Sequence, residues 1–359
     1  MKQVNSTTAN IPAALTEPLL AWYRENARDL PWRHTEDPYR IWVSEIMLQQ
    51  TRVAAVLGYY ARFLEAFPTV ETLASADEER LMKLWEGLGY YSRARNLQKA
   101  AQEVVAMGGF PDTYAGLLAL PGIGDYTASA IAAAAFGRRE PAVDGNVLRV
   151  AARLTDCHGD ILDPKTKGAV RAGLAAVMPE NTADIRIFNQ AMMELGATVC
   201  GPNTAPRCGE CPVQALCLGH RLGTAEALPV KKAKKERRVE KKTVFLLLKE
   251  GKVALRKRPK TGLLAGLWEF PNAEGTLDET SAGAAVAAMG LTAIDWRSRL
   301  TAKHIFTHVE WRMTGYALTV RGEGPADLVW ADASGLAERS VPSAFARYYE
   351  EAKEMLKEN

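Results

Sequence analysis

The sequence has little net charge, few cysteines and no long hydrophobic run. Lysine and arginine number 45 and aspartate and glutamate 42 among 359 residues, so any nucleic-acid surface must come from local clustering of charge. The longest nearly apolar run, Ala128 to Phe136, is far below the roughly 20 residues that a membrane span needs. The N-terminus also lacks the apolar core of a signal peptide. We therefore expect a soluble, intracellular protein with no membrane partner.

Only five cysteines are present, and four of them are close together. Gaps of seven, two and five residues separate Cys200, Cys208, Cys211 and Cys217. This set fits metal ligation in a reducing compartment better than a disulfide framework. The spacing alone leaves zinc and an iron–sulfur cluster as alternatives. Cys157 stands apart and is expected to be a buried core thiol.

The length and the pattern of apolar residues predict a multidomain protein. From Leu15 to Gly108 apolar residues recur at intervals of three and four between turn signals, which predicts an all-α half built of short helices. The basic segment 228–243 follows, and it is either a solvated linker or a linker that also contacts the DNA backbone. The rest is predicted to be an α+β domain, with strands at Val244–Leu248, Lys252–Arg256, Trp268–Pro271 and Trp311–Val320 and helices at Ala282–Met289 and Ser343–Met355.

A glutamate lies on an apolar helical face in the first half. Glu45 shares this face with Ile41 and Leu48, so burial should raise its pKa towards a value suited to proton donation near neutrality. An ion pair with Arg52 is the alternative, and spacing alone favours it. Gln49 is predicted to share the face of Glu45, whereas Gln50 and Thr51 are predicted to point elsewhere, as a solvated polar patch.

A proline–glycine turn precedes an alanine-rich helix that is predicted to start near Asp125. In the string LPGIG at 120–124 the proline fixes one φ angle, while Gly122 and Gly124 permit conformations closed to other residues. Amide N–H groups at such a helix start bind phosphate and read backbone rather than sequence. An ordinary interhelical turn is the alternative.

A second carboxylate, Asp144, lies just ahead of a short apolar helix. This position predicts an N-cap, where the helix dipole would hold the carboxylate ionised and suited to stabilising a developing cation. Two carboxyl groups with separated pKa values are the usual apparatus for breaking a glycosidic bond through an oxocarbenium-like state.

Upstream, the segment 85–96 combines tyrosines with arginines. A tyrosine ring can fill the space left by an extruded base, and arginines can hold the phosphates. For Tyr90 and Tyr91, packing in the core is the alternative.

Together these strings resemble the DNA glycosylases of the helix-hairpin-helix, endonuclease III superfamily, and most closely the adenine DNA glycosylases of the MutY type. The resemblance covers nearly the whole chain and rests on WVSEIMLQQT at 42–51, GLGYYSRARNL at 87–97, LPGIG, VDGNV at 143–147, FNQAMMELG at 188–196 and the four cysteines. It implies a helical glycosylase region at 1–222, a basic linker at 223–242 and a Nudix-like 8-oxoguanine recognition domain at 243–359. Within the first region it implies a six-helix barrel subdomain at about 34–143 and an iron–sulfur subdomain formed by the N-terminal segment with about 144–222.

The resemblance also implies roles for individual residues. Glu45 would protonate the adenine leaving group, Asp144 would stabilise or transiently bond to the sugar C1′, and Tyr126 and Asn146 would assist near the sugar. The four cysteines would hold a [4Fe–4S] cluster. The implied DNA-binding residues are Gln49, Gln50, Thr51, Tyr90, Arg93, Arg95, Gly122 and Gly124. The implied partner is double-stranded DNA with adenine opposite 8-oxoguanine, bound by a monomer in the cytoplasm at the nucleoid.

Four departures from related patterns refine these expectations. Tyr126 stands where bifunctional relatives carry a Schiff-base lysine, so we expect base removal without efficient strand scission. The segment 281–291 lacks the glutamates with which Nudix hydrolases bind Mg²⁺, which disfavours a nucleotide hydrolase. Phe306-Thr307-His308 looks like the Phe-Ser-His turn that reads 8-oxoguanine, and the first cysteine gap is one residue longer than usual.

Two other functions compete with this interpretation. An endonuclease III-like glycosylase and lyase acting on oxidised pyrimidines is the nearest alternative, and Tyr126 and the second domain count against it. A non-enzymatic iron–sulfur DNA-binding protein would have no use for the paired carboxylates.

Overall fold

The computed structural model describes residues 9–202, 205–232 and 236–357. The chain divides into two units, Met1–Ser75 with Asn96–Ala233 and Ala76–Arg95 with Lys234–Asn359. Within the described residues, no helix has both the length and the apolar content needed to cross a membrane.

The first part of the chain is helical, as its apolar spacing predicts. Its helices are α1 Thr16–Asn26, α2 Pro38–Leu48, α3 Val53–Ala66, α4 Val70–Ala74, α5 Glu78–Trp85, α6 Ser92–Ala106, α7 Tyr114–Leu118, α8 Asp125–Phe136, α9 Gly145–Leu154, α10 Pro164–Val177, α11 Thr182–Thr198 and α12 Leu218–Arg221. Short 3-10 turns lie at Ala13–Leu15, Pro31–Arg33, Cys208–Glu210 and Gln214–Leu216.

One hydrophobic core of the first unit joins the N-terminal helix to the later helices. Leu19 of α1, Leu148 of α9 and Phe188 of α11 are buried in it, and partly buried Cys157 packs against it. Because α9 is anchored in this way, the carboxylate at its start has a fixed position. The subdomain boundaries inside the helical region stay a prediction.

The second unit contains a seven-stranded sheet. Its strands are β1 Arg238–Lys249, β2 Lys252–Lys257, β3 Trp268–Glu269, β4 Asn272–Glu274, β5 Thr292–Ile305, β6 Val309–Arg321 and β7 Leu328–Ala331, and its later helices are α13 Glu279–Ala288, α14 Ala333–Glu338 and α15 Ala346–Lys357. The strand order is β3-β2-β1-β6-β5, with β4 paired to β1 and β7 to β2. Strands β1 and β6 are parallel, and the other pairs are antiparallel. This helical region followed by an α+β unit confirms the predicted fold class.

Each face of the sheet carries its own core. Trp311, Phe345 and Tyr348 are buried on the α15 face, whereas Phe245 and Tyr316 are buried on the α13 face. Both cores form because side chains on a strand alternate between the two faces.

Strands β1 and β5 differ from the prediction. Strand β1 begins at Arg238 rather than Val244, so it takes up residues that were assigned to the linker, because its backbone pairs with β6 from Arg238 opposite Val309 onward. Strand β5 was not predicted; it is an edge strand whose side chains are mostly exposed, so its sequence lacks a clear apolar alternation. Residues 233–235 of the predicted linker lie outside the described residues.

Candidate active site

A cleft of about 760 Å³ in the first unit brings the two predicted carboxyl groups together. Glu45, Asp144, Tyr126 and Asn146 all line it. Its volume is within the range of pockets that accept a compact organic ligand. The sequence separates Glu45 from Asp144 by 99 positions, yet both face one space.

Glu45 is set into the cleft wall by helix α2. The helix begins after the N-cap Asp37, which accepts a hydrogen bond from the Tyr39 amide, and its apolar side chains are buried. The Tyr126 hydroxyl donates a hydrogen bond of 2.7 Å to Oε2 of Glu45. Burial raises the pKa of Glu45 to about 7, the hydrogen bond opposes this rise, and the nearby Asp144 adds to it. The predicted rise in pKa is therefore confirmed.

The alternative prediction, an ion pair between Glu45 and Arg52, is wrong. Arg52 lies beyond the end of α2 and is exposed. Tyr126 takes its place as the hydrogen-bond partner. Burial raises the pKa of Tyr126 well above its ordinary value, so this hydroxyl stays protonated and acts as a donor.

Asp144 is the N-cap of α9, as predicted. Its Oδ1 accepts from the Val147 amide at 2.7 Å, and its Oδ2 accepts from Nδ2 of Asn146 at 2.9 Å. Burial nevertheless raises the pKa of Asp144 above its ordinary value, and the two hydrogen bonds only oppose that rise. The helix start and these bonds favour the ionised form, as expected, but desolvation has the larger effect on the pKa. That Asp144 is ionised at neutral pH stays a prediction.

A chain of hydrogen bonds connects Asp144 to the cysteine segment. Nη2 of Arg149 donates to Oδ1 of Asn146 at 2.8 Å, and Nε of Arg149 donates to the carbonyl of Cys200 at 2.8 Å. Arg153, one turn further along α9, donates to Sγ of Cys200 at 3.2 Å. Neither arginine was predicted, although two arginines four residues apart within an apolar helical segment, Val147 to Leu154, are a signal visible in the sequence; both are buried in the structure.

The four predicted metal ligands line one small cavity of about 30 Å³. Cys200, Cys208, Cys211 and Cys217 face it together with Arg153. Among the described residues, no three His, Cys, Asp or Glu side chains converge closely enough to hold a single metal ion. Asn203 and Thr204, in the long first gap, lie outside the described residues.

The glycine turn lies beside the cleft. Gly122 has a φ of 74°, and a Cβ there would meet Cβ of Asn96 at 2.5 Å, so glycine is required. Gly124 is the extended N-cap of α8, with a φ of −94°, so the expected unusual conformation is absent there. Both glycines are exposed and line the cleft.

The residues after α2 also line the cleft, which corrects one expectation. Helix α2 ends at Leu48, and Gln50 takes a left-handed conformation with a φ of 57°. This turn directs Gln50 and Thr51 into the cleft wall, whereas they were expected to point away from Glu45. Gln49 donates to the Thr127 hydroxyl at 3.3 Å.

The tyrosine–arginine segment belongs to the second unit. Some of its side chains are exposed, and others are held by contacts within the protein. Tyr90 is exposed, whereas Tyr91 is buried. Arg93 is buried and donates to the carbonyls of Leu88 and Gly89, so it holds the turn and does not present a free guanidinium to phosphates as expected. Arg95 is similarly committed, through an ion pair with Glu78 and a hydrogen bond to the Ala265 carbonyl.

The Phe306-Thr307-His308 turn joins β5 to β6. Thr307 and His308 are exposed. The Phe306 ring makes edge-to-face contacts with His304 and Trp311, with centroid distances of 4.6 and 4.9 Å. Within the same unit, the Tyr90 hydroxyl lies 2.9 Å from Oγ1 of Thr307.

An ionic group in the cleft wall was not predicted. Glu194 is fully buried and accepts hydrogen bonds from Arg28 and Arg33 at 2.7 and 2.6 Å. These charge-assisted bonds outweigh burial and lower its pKa to about 2. All three residues line the cleft. The isolated acid in the apolar run of FNQAMMELG is the local signal for it.

Comparison with known proteins identifies relatives of both units. Residues 43–179 match the HhH-GPD superfamily of base excision DNA repair proteins, and residues 243–351 match the Nudix domain. The chain is 36% identical to an adenine DNA glycosylase of Homo sapiens, across 91% of this chain and 70% of that protein. It is 35% identical to the adenine DNA glycosylase of Buchnera aphidicola from Acyrthosiphon pisum, across 70% of this chain and 72% of that protein. A solved structure of a thermostable thymine-DNA glycosylase superposes with a TM-score of 0.51 and 28% identity, covering 58% of this chain and 95% of that one.

Proposed function

Since this chain belongs to the adenine DNA glycosylase family, we propose that it excises adenine paired with 8-oxoguanine or guanine and leaves the DNA strand uncut. The enzyme is a DNA glycosylase of base excision repair, which hydrolyses an N-glycosyl bond. The observation that carries the proposal is the pairing of Glu45, with a pKa of about 7, and Asp144 in one cleft. We further propose that the enzyme acts as a monomer at the nucleoid.

Glu45 serves as the general acid in this proposal. Adenine leaves poorly as an anion, so bond cleavage needs a proton donor in a site that excludes water. An acid with a pKa of about 7 is still substantially protonated at neutral pH. It is also acidic enough to release its proton in the transition state.

Asp144 stabilises the cation that develops at the sugar. Two hydrogen bonds fix its carboxylate, one from the Val147 amide and one from Asn146, so it needs no reorganisation as charge builds up. Tyr126 holds Glu45, and Asn146 holds Asp144. The two assisting residues thus orient one carboxyl group each.

Tyr126 also supports base removal without strand cleavage. A lysine amine can attack C1′ and form a Schiff base, but a phenol hydroxyl cannot form an imine. The endonuclease III-like alternative requires that amine, so Tyr126 disfavours it.

The exposed turns supply contacts to DNA. We propose that the amides around Gly122 and Gly124 bind a phosphate at the start of α8, and that Gln49, Gln50 and Thr51 occupy the space beside the extruded adenine. In the second unit, Phe306, Thr307 and His308 read 8-oxoguanine, and Tyr90 fills the adjoining space. Support comes from the exposure of Thr307, His308 and Tyr90 and from the contact between Tyr90 and Thr307.

We propose that the four cysteines hold a [4Fe–4S] cluster, because four thiolates are the ligand set of such a cluster. Cys200, Cys208, Cys211 and Cys217 line one cavity, which supports this proposal. A bound cluster would cross-link this segment through four iron–thiolate bonds. Arg153 would orient Cys200 through its contact with Sγ.

Excision assays on defined duplexes test the proposal. The protein is incubated with adenine opposite 8-oxoguanine, adenine opposite guanine, or an oxidised pyrimidine, and strands are examined before and after alkali. We expect adenine-containing strands to break only after alkali and the pyrimidine duplex to stay intact. Nicking before alkali, or a borohydride-trapped covalent complex, would contradict the monofunctional assignment.

The 8-oxoguanine turn has a separate test. Phe306→Ala and His308→Ala should reduce the ratio of excision opposite 8-oxoguanine to excision opposite guanine, with Glu323→Gln as an exposed control in the same unit. An unchanged ratio would remove the turn from the account.

A further inference from the structure

One face of the second-unit sheet carries a row of cations across three adjacent strands. Lys241 of β1 is the register partner of Arg312 of β6, and Arg312 is the register partner of Lys303 of β5. Register partners point to the same face of a sheet, and neighbouring strands lie about 4.8 Å apart, so the three side chains share a line roughly 10 Å wide. We call Lys241, Arg312 and Lys303 the cation row.

The cation row begins where the cover of this face ends. Side chains of the same face further along the strands, such as Phe245 and Tyr316, are buried beneath α13. In the intervening row, Thr243 donates to the Gly275 carbonyl at 2.9 Å and accepts from the Leu277 amide at 2.9 Å. Beyond that row the side chains of Lys303 and Arg312 are 55% and 59% exposed, and Lys241 is exposed.

The row keeps a positive charge in spite of a neighbouring acid. Glu310 pairs with Lys303 at 3.2 Å and with Arg312 at 2.8 Å. One carboxylate offsets only one of the three charges, and among the described residues no ion pair joins Lys241 to a carboxylate. Like charges on adjacent strands destabilise a sheet. Three cations on adjacent strands repel one another, and a bound anion would offset this repulsion.

We propose that the cation row binds the sugar–phosphate backbone of duplex DNA beside the base that the 306–308 turn reads. Ile305, the last residue of β5, directly precedes this turn, and Lys303 lies four residues before Thr307. Extended chain rises roughly 3.3 Å per residue, so Lys303 lies within about 13 Å of Thr307, a distance of about four base-pair rises. A DNA backbone that passes the turn on the side of the row comes within its reach.

Charge and shape favour a nucleic acid over a protein segment. The side chains of the row are exposed, and among the described residues the large exposed apolar side chains that are register partners of Glu310 beside the row are Val239 and Ile305. Peptide recognition needs pockets for apolar anchors. Phosphate contacts need only cations at a convex or flat surface, and they position the protein without reading sequence.

The test is the salt dependence of DNA binding by the full-length protein. The triple variant Lys241→Gln, Lys303→Gln, Arg312→Gln is compared with Lys252→Gln, Lys353→Gln, Lys357→Gln, which removes three exposed cations elsewhere in the same unit. We expect the slope of log affinity against log salt to fall by about 2 to 3 for the first triple and to stay unchanged for the control. Affinity should fall by the same factor for duplexes with 8-oxoguanine, with guanine opposite adenine, and without a mismatch.

The possible outcomes separate this inference from the proposed function on which it rests. If the unmodified protein showed no preference for 8-oxoguanine over guanine, the proposed role of the 306–308 turn would be refuted. The salt dependence of binding to an undamaged duplex does not involve that preference and tests the cation row alone. An unchanged slope overturns the inference, and so does a loss of affinity confined to the 8-oxoguanine duplex. If the triple variant fails to fold, each single variant should lower the slope by about 1, and a slope unchanged in all three overturns it equally.

Discussion

The Tyr126 hydroxyl donates a hydrogen bond of 2.7 Å to Oε2 of Glu45, across a cleft that also contains Asp144. This contact favours the ionised form of Glu45, while burial and the charge of Asp144 favour the protonated form. The resulting pKa of about 7 reflects a balance between these effects. A change to any one of them should move the pH dependence of the reaction.

Tyr126→Phe should shift the high-pH limb of the excision rate to higher pH. Removing the hydroxyl takes away a bond that lowers the pKa of Glu45, so the acid keeps its proton to higher pH. We expect the maximal single-turnover rate to fall by less than about tenfold, because the proton donor remains. Tyr59→Phe on α3 is the matched control. A limb that stays in place or moves to lower pH would contradict the assigned contact.

Arg149→Met should weaken both the active site and the cysteine segment. Arg149 donates to Asn146, to the Cys200 carbonyl and to the Gly196 carbonyl, so its loss leaves buried acceptors unpaired. We expect a loss of about 1–3 kcal/mol in the free energy of unfolding. Excision should slow while DNA affinity stays unchanged, and the iron content per chain should fall. The control Arg138→Met, which changes an exposed arginine, should leave stability, excision rate and iron content unaffected. Normal excision with normal iron content would show that this chain of hydrogen bonds is dispensable.

Glu194→Gln should destabilise the protein at neutral pH. The pKa of Glu194 is lowered to about 2 from an ordinary 4.5, so its ionised form stabilises the fold above pH 4.5 and loses this effect as pH falls towards 2. Breaking a buried ion pair on one side costs about 3–5 kcal/mol. Denaturant unfolding of the variant and of the exposed control Glu180→Gln should therefore differ at pH 7, and the difference should shrink progressively below pH 4.5. A difference independent of pH would mean that packing, not charge, is lost.

Local sequence patterns predicted the features that depend on local structure. Glu45 lies between apolar residues of one helix, and Asp144 immediately precedes another, so burial of the first and capping by the second could be deduced from neighbouring positions. The turn at Gly122 is similarly local, because a φ of 74° is a property of the backbone there.

The remaining features depend on contacts between distant parts of the chain. Tyr126 is 81 residues from Glu45, so spacing favoured nearby Arg52 as the partner instead. Glu194 and Arg28 are 166 residues apart, so the acid in its apolar run is visible in the sequence but its arginine partner is not. The rise in the pKa of Asp144 could not be predicted for the same reason: the helix start is visible in the sequence, but the burial that raises the pKa is set by tertiary packing.

The most direct test of the central claim is the single-turnover rate of adenine excision opposite 8-oxoguanine by Glu45→Gln, measured with the exposed control Glu65→Gln. If Glu45 is the proton donor, the rate should fall at least about a hundredfold and lose its decline near pH 7, with DNA affinity unchanged. A Glu45→Gln enzyme that excises adenine at the rate of the control, with the same pH profile, would contradict the account.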